Sequence, residues 1–231
     1  MTADEAIPKH VGYIVDGNRR WAKAHGLPYY EGHMAGYNVL QDIARANFDA
    51  GVEYLSLYIF STENWKRSKD EVGRLLKLIL QVIATDLHIF KEENIRLKII
   101  GSKNKLSEKI IKAIEKAENE TKDNTRGTMI LCFNYGGQLE IVDAIKKIVQ
   151  SGIKSEDIDE NTVARNLYVP EVPPLDILVR TSGEKRISNF MLWRVAYAEM
   201  VYLEKNWPDM TKEDVKAILK EYSKRHRRFG G

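Results

Sequence analysis

The sequence predicts an α/β fold, in which a central sheet of about six mainly parallel strands is surrounded by helices. Short apolar, β-branched runs alternate along the chain with segments of helical period, a pattern typical of parallel sheets covered on both faces. Polar, glycine-containing loops follow several of these runs, and ligands bind at the carboxyl ends of the strands in such sheets. The length suits a single domain spanning residues 1–231.

The strands are predicted from apolar runs that end in turn signals or charged loops. The first, at residues 11–15, ends in Asp16-Gly17-Asn18, and the second, at residues 54–60, is aromatic and β-branched. The remaining strands are expected at residues 97–100, 128–133, 175–179 and 200–203.

The helices are predicted from apolar residues that recur at helical spacing. Residues 71–90 form the most apolar helix and residues 106–121 a heavily charged one. Another follows the turn at 134–137 and runs to about residue 149, and residues 190–197 also have a helical pattern. Thr211 with Asp214 three residues later is the pattern of a capping box that opens the last helix.

The composition is that of a soluble globular protein, with 43% apolar and 30% charged residues. The single cysteine, Cys132, lies in an apolar run, so an intrachain disulfide is excluded and a reducing compartment is favoured. The N-terminus is acidic, unlike a signal peptide, and the longest apolar stretch is far shorter than the ~20 residues of a membrane span. The protein is expected to be cytoplasmic, with peripheral membrane contact at most.

The first candidate site lies at residues 10–20, where a strand enters a glycine turn and a helix starts near Arg19. Backbone N–H groups at a helix start favour anions, and Arg19 with Arg20 adds two charges that suit phosphate. Asp16 would repel phosphate unless a divalent cation lay between them, as Mg²⁺ does when one carboxylate and substrate oxygens bind it. The alternative is an ordinary Asp-Gly turn with a helix cap.

Two further loops have a similar character. The loop at 180–190 offers a second diphosphate site through two arginines and a serine. Glu199, beyond it, is either a metal ligand or a solvated edge residue. The loop at 60–67 is either a capped helix start or part of the site. The polar and aromatic residues of these two loops include Ser61, Glu63, Asn64, Trp65, Arg67, Arg180, Arg186 and Ser188.

The helix at 71–90 is apolar over more than half of its circumference. Either all of that surface is core, or its inner side lines a tunnel for a long hydrocarbon. The sequence combines two cationic glycine loops, each near a carboxylate, with an excess of apolar helix. This combination indicates an enzyme that handles two diphosphates, at least one with a hydrocarbon tail. The sequence lacks the P-loop and Gly-x-Gly-x-x-Gly patterns, which argues against an NTPase or a dinucleotide site.

The sequence resembles the cis-prenyltransferases, the family of undecaprenyl and dehydrodolichyl diphosphate synthases. The matches follow in order over nearly the whole chain. They include residues 10–22 (HVGYIVDGNRRWA), 61–67 (STENWKR), 134–137 (NYGG), 176–199 (DILVRTSGEKRISNFMLWRVAYAE) and 227–231 (RRFGG).

The resemblance implies a Mg²⁺-dependent transferase of prenyl groups, a polyprenyl diphosphate synthase of the undecaprenyl diphosphate synthase type. Such an enzyme adds isopentenyl diphosphate to an allylic diphosphate, farnesyl or geranylgeranyl diphosphate, in sequential Z-condensations. The polyprenyl diphosphate formed would be the precursor of a glycosyl carrier lipid. The family also implies a hydrophobic product tunnel, a homodimer and transient contact with a membrane surface for product release.

The same resemblance implies roles for individual residues. Asp16 would be catalytic and hold the metal with the help of Glu199, and Asn64 would be a second catalytic residue. The terminal segment 228–230 would reach into the site of the partner subunit. Isopentenyl diphosphate would be bound by Arg180, Arg186 and Ser188. The allylic diphosphate would be bound by Gly17, Asn18, Arg19, Arg20, Trp21, His33, Ser61, Glu63, Trp65 and Arg67.

Four positions depart from the family pattern. Tyr29 stands where an arginine is usual, so one diphosphate contact is missing or is replaced by a tyrosine hydroxyl, and Arg19 stands where bacterial members have glycine. Ile59 replaces an alanine and is expected to narrow the tunnel, whereas Gly127, near a position often occupied by leucine, is expected to widen its far end.

Two other functions fit the sequence less well. A non-catalytic accessory subunit of the same fold would have lost the Asp-Gly-Asn and Glu-Asn-Trp elements, and this chain keeps both. A nucleic-acid binder would use the basic residues near the C-terminus. No interleaved aromatic residues support stacking on bases, and the net charge is only +3. No nucleic-acid partner is therefore expected.

Overall fold

Residues 6–225 are described by a computed structural model, and within them six strands form one parallel sheet. The order across the sheet is β3-β4-β2-β1-β5-β6, and every neighbouring pair is parallel. This confirms the predicted fold class. The strands are β1 (His10–Ile14), β2 (Tyr54–Ser61), β3 (Ile95–Ile100), β4 (Gly127–Tyr135), β5 (Ile177–Arg180) and β6 (Glu199–Tyr202).

The register brings the ends of three strands together. Ile14, the last residue of β1, pairs with Tyr58 of β2 on one side and with Arg180 of β5 on the other. Because the strands are parallel, the loops that follow β1, β2 and β5 leave the sheet at the same edge. These are the loops that carry the candidate site residues.

Helices and loops cover the sheet on both faces, with apolar side chains buried against each. The predicted capping box is confirmed, since Thr211 Oγ accepts from Asp214 N (3.3 Å) and the Asp214 carboxylate accepts from Thr211 N (2.8 Å). No helix of the described segment 6–225 is long and apolar enough to cross a bilayer. The helices are α1 (Asn18–Ala24), α2 (Tyr29–Asp49), α3 (Lys69–Leu80), α4 (Leu87–Glu92), α5 (Glu108–Thr121), α6 (Gly137–Ser151), α7 (Glu160–Asn166) and α8 (Lys212–Ser223).

The long helix α2 has no counterpart among the elements predicted from the sequence. Several of its buried positions carry small or polar residues, so the apolar period that identifies a helix is weak. The small residues have a packing role. A Cβ at Gly32 would lie 2.0 Å from the Asn18 carbonyl oxygen, and one at Gly36 would lie 2.2 Å from Asn18 Oδ1. Close approach of α1 and α2 therefore requires glycine at both positions.

The apolar helix predicted at 71–90 is confirmed as helical but is not continuous. A π-helical segment, Gln81–Thr85, separates α3 from α4, and Asp86 N donates to Gln81 O at 3.1 Å. The additional residue in this turn rotates α4 relative to α3, and such insertions often mark functional sites.

The helix predicted at residues 190–197 is wrong, because this segment forms consecutive turns. Met191 within the segment has a positive φ angle of 43°, as do Ser188 (48°) and Asn189 (64°) just before it, and no right-handed helix tolerates such angles. The apolar spacing that suggested a helix reflects burial of Phe190, Met191 and Val195 against the sheet. The second candidate diphosphate loop therefore does not open a helix.

A buried ion pair anchors this segment to α6. Arg194 and Glu140 have side chains that are 4% and 0% exposed, and Arg194 Nη1 lies 2.9 Å from Glu140 Oε1. The guanidinium also donates to three backbone carbonyls, of Val172, Tyr168 and Val169. Glu140 also accepts from the Tyr135 hydroxyl and from Tyr168 N at 3.1 Å. Because the two opposite charges are buried together, removal of one is costly.

We expect Arg194→Met to lower the free energy of unfolding by about 3–5 kcal/mol, because it leaves the Glu140 carboxylate buried without its counter-charge. Urea denaturation followed by circular dichroism measures the change. The matched variant Arg194→Met with Glu140→Gln removes both charges and should recover part of the loss. A single variant as stable as the wild type would contradict this account.

Candidate active site

A cavity of about 860 Å³ opens at the carboxyl edge of the sheet, between the loops after β1, β2 and β5 and the first turns of α1 and α2. Thirteen of the residues that the sequence placed in a site line it. They are Asp16, Gly17, Asn18, Arg19, Arg20, His33, Ser61, Glu63, Asn64, Arg67, Arg180, Arg186 and Ser188. The register of the sheet accounts for this convergence, since these residues come from strands that end side by side.

Asp16 and Arg180 join the ends of β1 and β5 at the edge of the cavity. The Arg180 side chain is 5% exposed, and its Nη2 donates to Asp16 Oδ2 at 2.8 Å. Gly17 N donates to Asp16 Oδ1 at 2.7 Å, and Arg20 Nη2 lies 3.3 Å from Asp16 Oδ2. Burial acts to raise the pKa of Asp16, but these contacts outweigh it and the pKa is lowered. Asp16 is therefore a carboxylate at neutral pH.

Gly17 is required by the shape of this turn. Its φ angle is +100°, and a Cβ would lie 2.4 Å from Asn206 Oδ1 and 2.9 Å from Ser182 Oγ. A side chain at this position would be strained in conformation and would also collide with its neighbours. The turn therefore holds Asp16 and the start of α1 in a fixed relation.

Three buried polar atoms of the cavity have no hydrogen-bond partner within residues 6–225. They are Asn18 Oδ1, His33 Nε2 and Arg180 Nε. Native proteins leave few such groups, and each one calls for an explanation such as a missing ligand. Burial, followed by the charges of Arg67 and Arg19, lowers the pKa of His33 to about 4. The His33 ring is thus neutral at pH 7 and retains a hydrogen-bonding nitrogen.

A second group of cations lies across the cavity, on α1 and ahead of α3. The Arg19 guanidinium lies over the Tyr29 ring, 4.4 Å from its centroid. Glu71 lies between two arginines, 3.8 Å from Arg19 Nη1 and 3.1 Å from Arg67 Nη1. Tyr29 stands where the resemblance leads one to expect an arginine. Its ring instead contacts the guanidinium of another arginine, Arg19.

Arg180 holds the loop after β5 in place, and the backbone of this loop has unusual φ angles. Arg180 Nη1 donates to Ser188 Oγ at 2.6 Å and to the Arg186 carbonyl. Ser182, like Ser188, has a positive φ angle, 77°, and such strained residues cluster at functional sites. The Arg186 side chain is 60% exposed and contacts Glu184, so its guanidinium is accessible to a ligand.

Asn189 is a cavity residue to which the sequence assigned no role. Its carbonyl accepts from Gly137 N at 2.7 Å and its Oδ1 accepts from Gln138 N at 2.8 Å, so it caps α6. Its Nδ2 donates to Glu63 Oε1 at 3.1 Å. Asn189 thus links the loop after β5 to the loop after β2. Asn189 lies within the candidate loop at 180–190, but its positive φ angle and its contacts are visible only in the structure, so the sequence carries no signal for this role.

Three predicted site residues do not line the cavity. Trp21 donates its indole N–H to Asp209 Oδ1 at 2.8 Å, and Trp65 donates to Asn134 Oδ1 at 2.7 Å. Glu199 pairs with Ile177 at the start of β5, the end opposite Arg180, and Arg225 Nη1 lies 2.6 Å from its carboxylate. Within one chain, Glu199 is therefore held by an arginine at the other edge of the sheet.

The residues present fit a magnesium ion bound mainly by its substrate. The described residues contain no cluster of three or more His, Cys, Asp or Glu side chains that could hold a metal alone. Asp16 makes three contacts, which leaves about one of the four lone-pair positions of a carboxylate for a cation. Mg²⁺ is often held by one or two carboxylates together with phosphate oxygens and water.

A smaller, apolar cavity of about 80 Å³ lies beneath the first one. Ile59 and Leu75 line both cavities, so the two adjoin. The expectation that Gly127 widens this space is wrong, because a Cβ there would lie 2.4 Å from the Phe48 ring. Phe48 occupies the volume that a side chain at position 127 would take.

Comparison with known proteins gives a consistent result. Residues 14–230 match the family described as "Putative undecaprenyl diphosphate synthase". Isoprenyl transferase of Thermotoga maritima is 45% identical over 227 residues, which is 97% of each chain. Lavandulyl diphosphate synthase from Lavandula x intermedia, solved with dimethylallyl diphosphate, has a TM-score of 0.93 and 34% identity, covering 97% of this chain and 99% of that one. The probable undecaprenyl diphosphate synthase of Campylobacter jejuni has a TM-score of 0.84 and 31% identity, covering 98% and 100%.

We expect Tyr29→Leu to weaken the binding of inorganic pyrophosphate roughly 2- to 30-fold, because a cation–π contact is worth about 0.5–2 kcal/mol. Tyr29→Phe keeps the ring under Arg19 and should bind as the wild type does. Isothermal titration calorimetry measures both. If the Phe variant loses as much affinity as the Leu variant, the Tyr29 hydroxyl supports pyrophosphate binding and the contact between the ring and Arg19 does not.

Proposed function

The chain belongs to the undecaprenyl diphosphate synthase family and is a prenyltransferase, and we propose that it is a Mg²⁺-dependent cis-prenyltransferase that adds isopentenyl diphosphate to an allylic diphosphate. One observation carries this proposal. A single cavity is lined by arginines of α1, of the loop after β2 and of β5 with its loop, and it adjoins an apolar cavity, as two diphosphates and one hydrocarbon tail require. The starter would be farnesyl or geranylgeranyl diphosphate, and the product a polyprenyl diphosphate used as a glycosyl carrier lipid precursor.

The allylic diphosphate would lie on the side of α1 and α2. Arg19, Arg20 and Arg67 supply positive charge there, and the neutral His33 ring offers a hydrogen bond. Negative charge grows on the diphosphate as the allylic C–O bond breaks, so cations that are fixed in advance stabilise the transition state. A bound Mg²⁺ would neutralise further charge on the leaving group, with Asp16 as its protein ligand.

Isopentenyl diphosphate would lie on the side of β5. Arg180 is already oriented by Asp16 and Ser188, and Arg186 is free to approach a second diphosphate. Asn64 borders the space between the two sides, and its Oδ1 accepts from Ser61 N at 3.0 Å. This hydrogen bond fixes the Asn64 side chain at the cavity, where it would contact a bound substrate.

The hydrocarbon tail would enter the apolar cavity past Ile59 and Leu75.

We also propose that residues 1–231 act as one domain, that two chains form a homodimer, and that the protein is cytoplasmic with transient membrane contact when product leaves. The segment 228–230, expected to reach the partner's site, lies outside the described residues. Because Asp16 and Asn64 both line the cavity, the accessory-subunit alternative loses its main support.

We expect Asp16→Ala to lower the free energy of unfolding, because it leaves the buried Arg180 guanidinium without its counter-charge, and, in the protein that remains folded, to lower kcat at least ~10³-fold, the scale of removing one partner of transition-state charge. Radiolabelled isopentenyl diphosphate with farnesyl diphosphate and Mg²⁺ provides the assay, and EDTA should abolish wild-type activity. Full activity in EDTA would exclude the metal.

We expect Arg186→Ala to raise the KM for isopentenyl diphosphate roughly 10- to 150-fold, the equivalent of losing a charged hydrogen bond worth about 1.5–3 kcal/mol. Arg67→Ala is the matched variant on the other side and should raise the allylic KM instead. Initial rates over a matrix of both substrates separate the two effects. The opposite pattern would mean that the two diphosphate sites are exchanged.

A further inference from the structure

The apolar cavity has an end wall that separates it from a second small cavity. Tyr37 and Leu40, on successive turns of α2, line the apolar cavity of about 80 Å³. The same two residues line another cavity of about 20 Å³, whose far side includes Ile89 and Phe90 of α4. Neither Tyr37 nor Leu40 lines the diphosphate cavity. The wall therefore stands at the end remote from the diphosphates.

A hydrogen bond holds this wall in place. The Tyr37 hydroxyl donates to Asp86 Oδ2, and Gln41 Nε2 lies 3.4 Å from the Tyr37 oxygen. Burial, followed by the bond to Asp86, raises the pKa of Tyr37 to about 12. The hydroxyl consequently keeps its proton at neutral pH, and the ring is tied to the opposite side of the cavity.

The π-helical segment determines where Asp86 lies. The bond from Asp86 N to Gln81 O closes a turn one residue longer than an α-helical turn. Asp86 is thereby displaced around the helix axis relative to a continuous α-helix, and in this position its carboxylate meets Tyr37. Val82, within the π segment, lines the apolar cavity itself.

We propose that the Tyr37–Asp86 pair is the wall that sets product length, an inference that rests on the proposed function. A hydrocarbon chain offers no hydrogen bond, so a tail that passes the pair must leave two partly buried polar groups unpaired, which is unfavourable. A cavity of about 150 Å³ holds one benzene ring, so the space of about 80 Å³ before the wall holds less than one isoprene unit without rearrangement. Longer tails press on α3 and then on this pair.

Ile59 has a different place in this scheme. It lines both the diphosphate cavity and the apolar cavity, so it borders the entrance to the apolar space. Ile59 narrows the passage that every product uses, whereas Tyr37 closes its end. Truncation of Tyr37 should join the apolar cavity to the space before Ile89 and Phe90.

The test compares product lengths from Tyr37→Ala, Tyr37→Phe and wild type. Each protein is incubated with farnesyl diphosphate and labelled isopentenyl diphosphate, and the products are sized by chromatography. We expect Tyr37→Ala to lengthen the main product by two or more isoprene units, while the KM values for both diphosphates stay within about twofold. Tyr37→Phe keeps the ring but frees it from Asp86, so we expect a smaller shift in the same direction.

Ile148→Ala is the control for a general loss of packing, because Ile148 is buried on α6, away from both cavities. It should leave the product distribution unchanged. Active Tyr37→Ala and Tyr37→Phe proteins with wild-type product lengths would overturn the proposal and leave the proposed function standing. A wild-type protein that forms no prenyl product from these substrates would instead refute the proposed function, and the proposal with it.

Discussion

The contact between Arg180 and Asp16 is the interaction on which the rest of the site depends. A buried guanidinium is always charged, so it is stable only where acceptors surround it. Asp16, Ser188 and the Arg186 carbonyl provide these acceptors. These contacts with the Arg180 guanidinium fix the end of β1, the end of β5 and the loop beyond β5 relative to one another. The buried cation at this edge of the cavity is thus held in one orientation by the protein itself.

The two sides of the cavity differ in rigidity. On the β5 side, the arginine is 5% exposed and its neighbours adopt strained backbone conformations. On the α1 side, Arg19 is 46% exposed and is held by a ring and by a distant carboxylate, Glu71. A polyanion that enters would compete with Glu71 for both Arg19 and Arg67. Asn189, bonded to Glu63 across the cavity, connects the fixed side to the loop after β2.

The sequence predicted the sheet well because each strand is an apolar run that ends in a recognisable turn. It also predicted thirteen cavity residues, since loops after parallel strands converge at one edge. Local pattern failed in two places. In α2, Gly32 and Gly36 serve close helix contact and weaken the apolar period. In residues 190–197, the buried residues recur at helical spacing although the segment is not a helix. Positive φ angles exclude a helix there, and the spacing of apolar residues does not reveal them.

The spacing of residues in the sequence also did not predict the direction in which side chains point. Trp21 and Trp65 lie beside cavity residues along the chain, yet their indoles donate to Asp209 and Asn134. A position on a helix or turn does not reveal which partner will satisfy an indole N–H group. The wall at Tyr37 was hidden for a related reason, because it depends on a π-helical turn about 45 residues later in the chain.

The strand order has a consequence for how the protein is made. β1 is synthesised before the other five strands, yet one of its edges is completed only by β5, where Ile14 pairs with Arg180. At 5–20 residues per second, that edge waits on the order of ten to thirty seconds on the ribosome. An unpaired apolar edge invites association with other chains. The centre of the sheet, and the cavity built on it, can therefore close only after most of the chain has emerged.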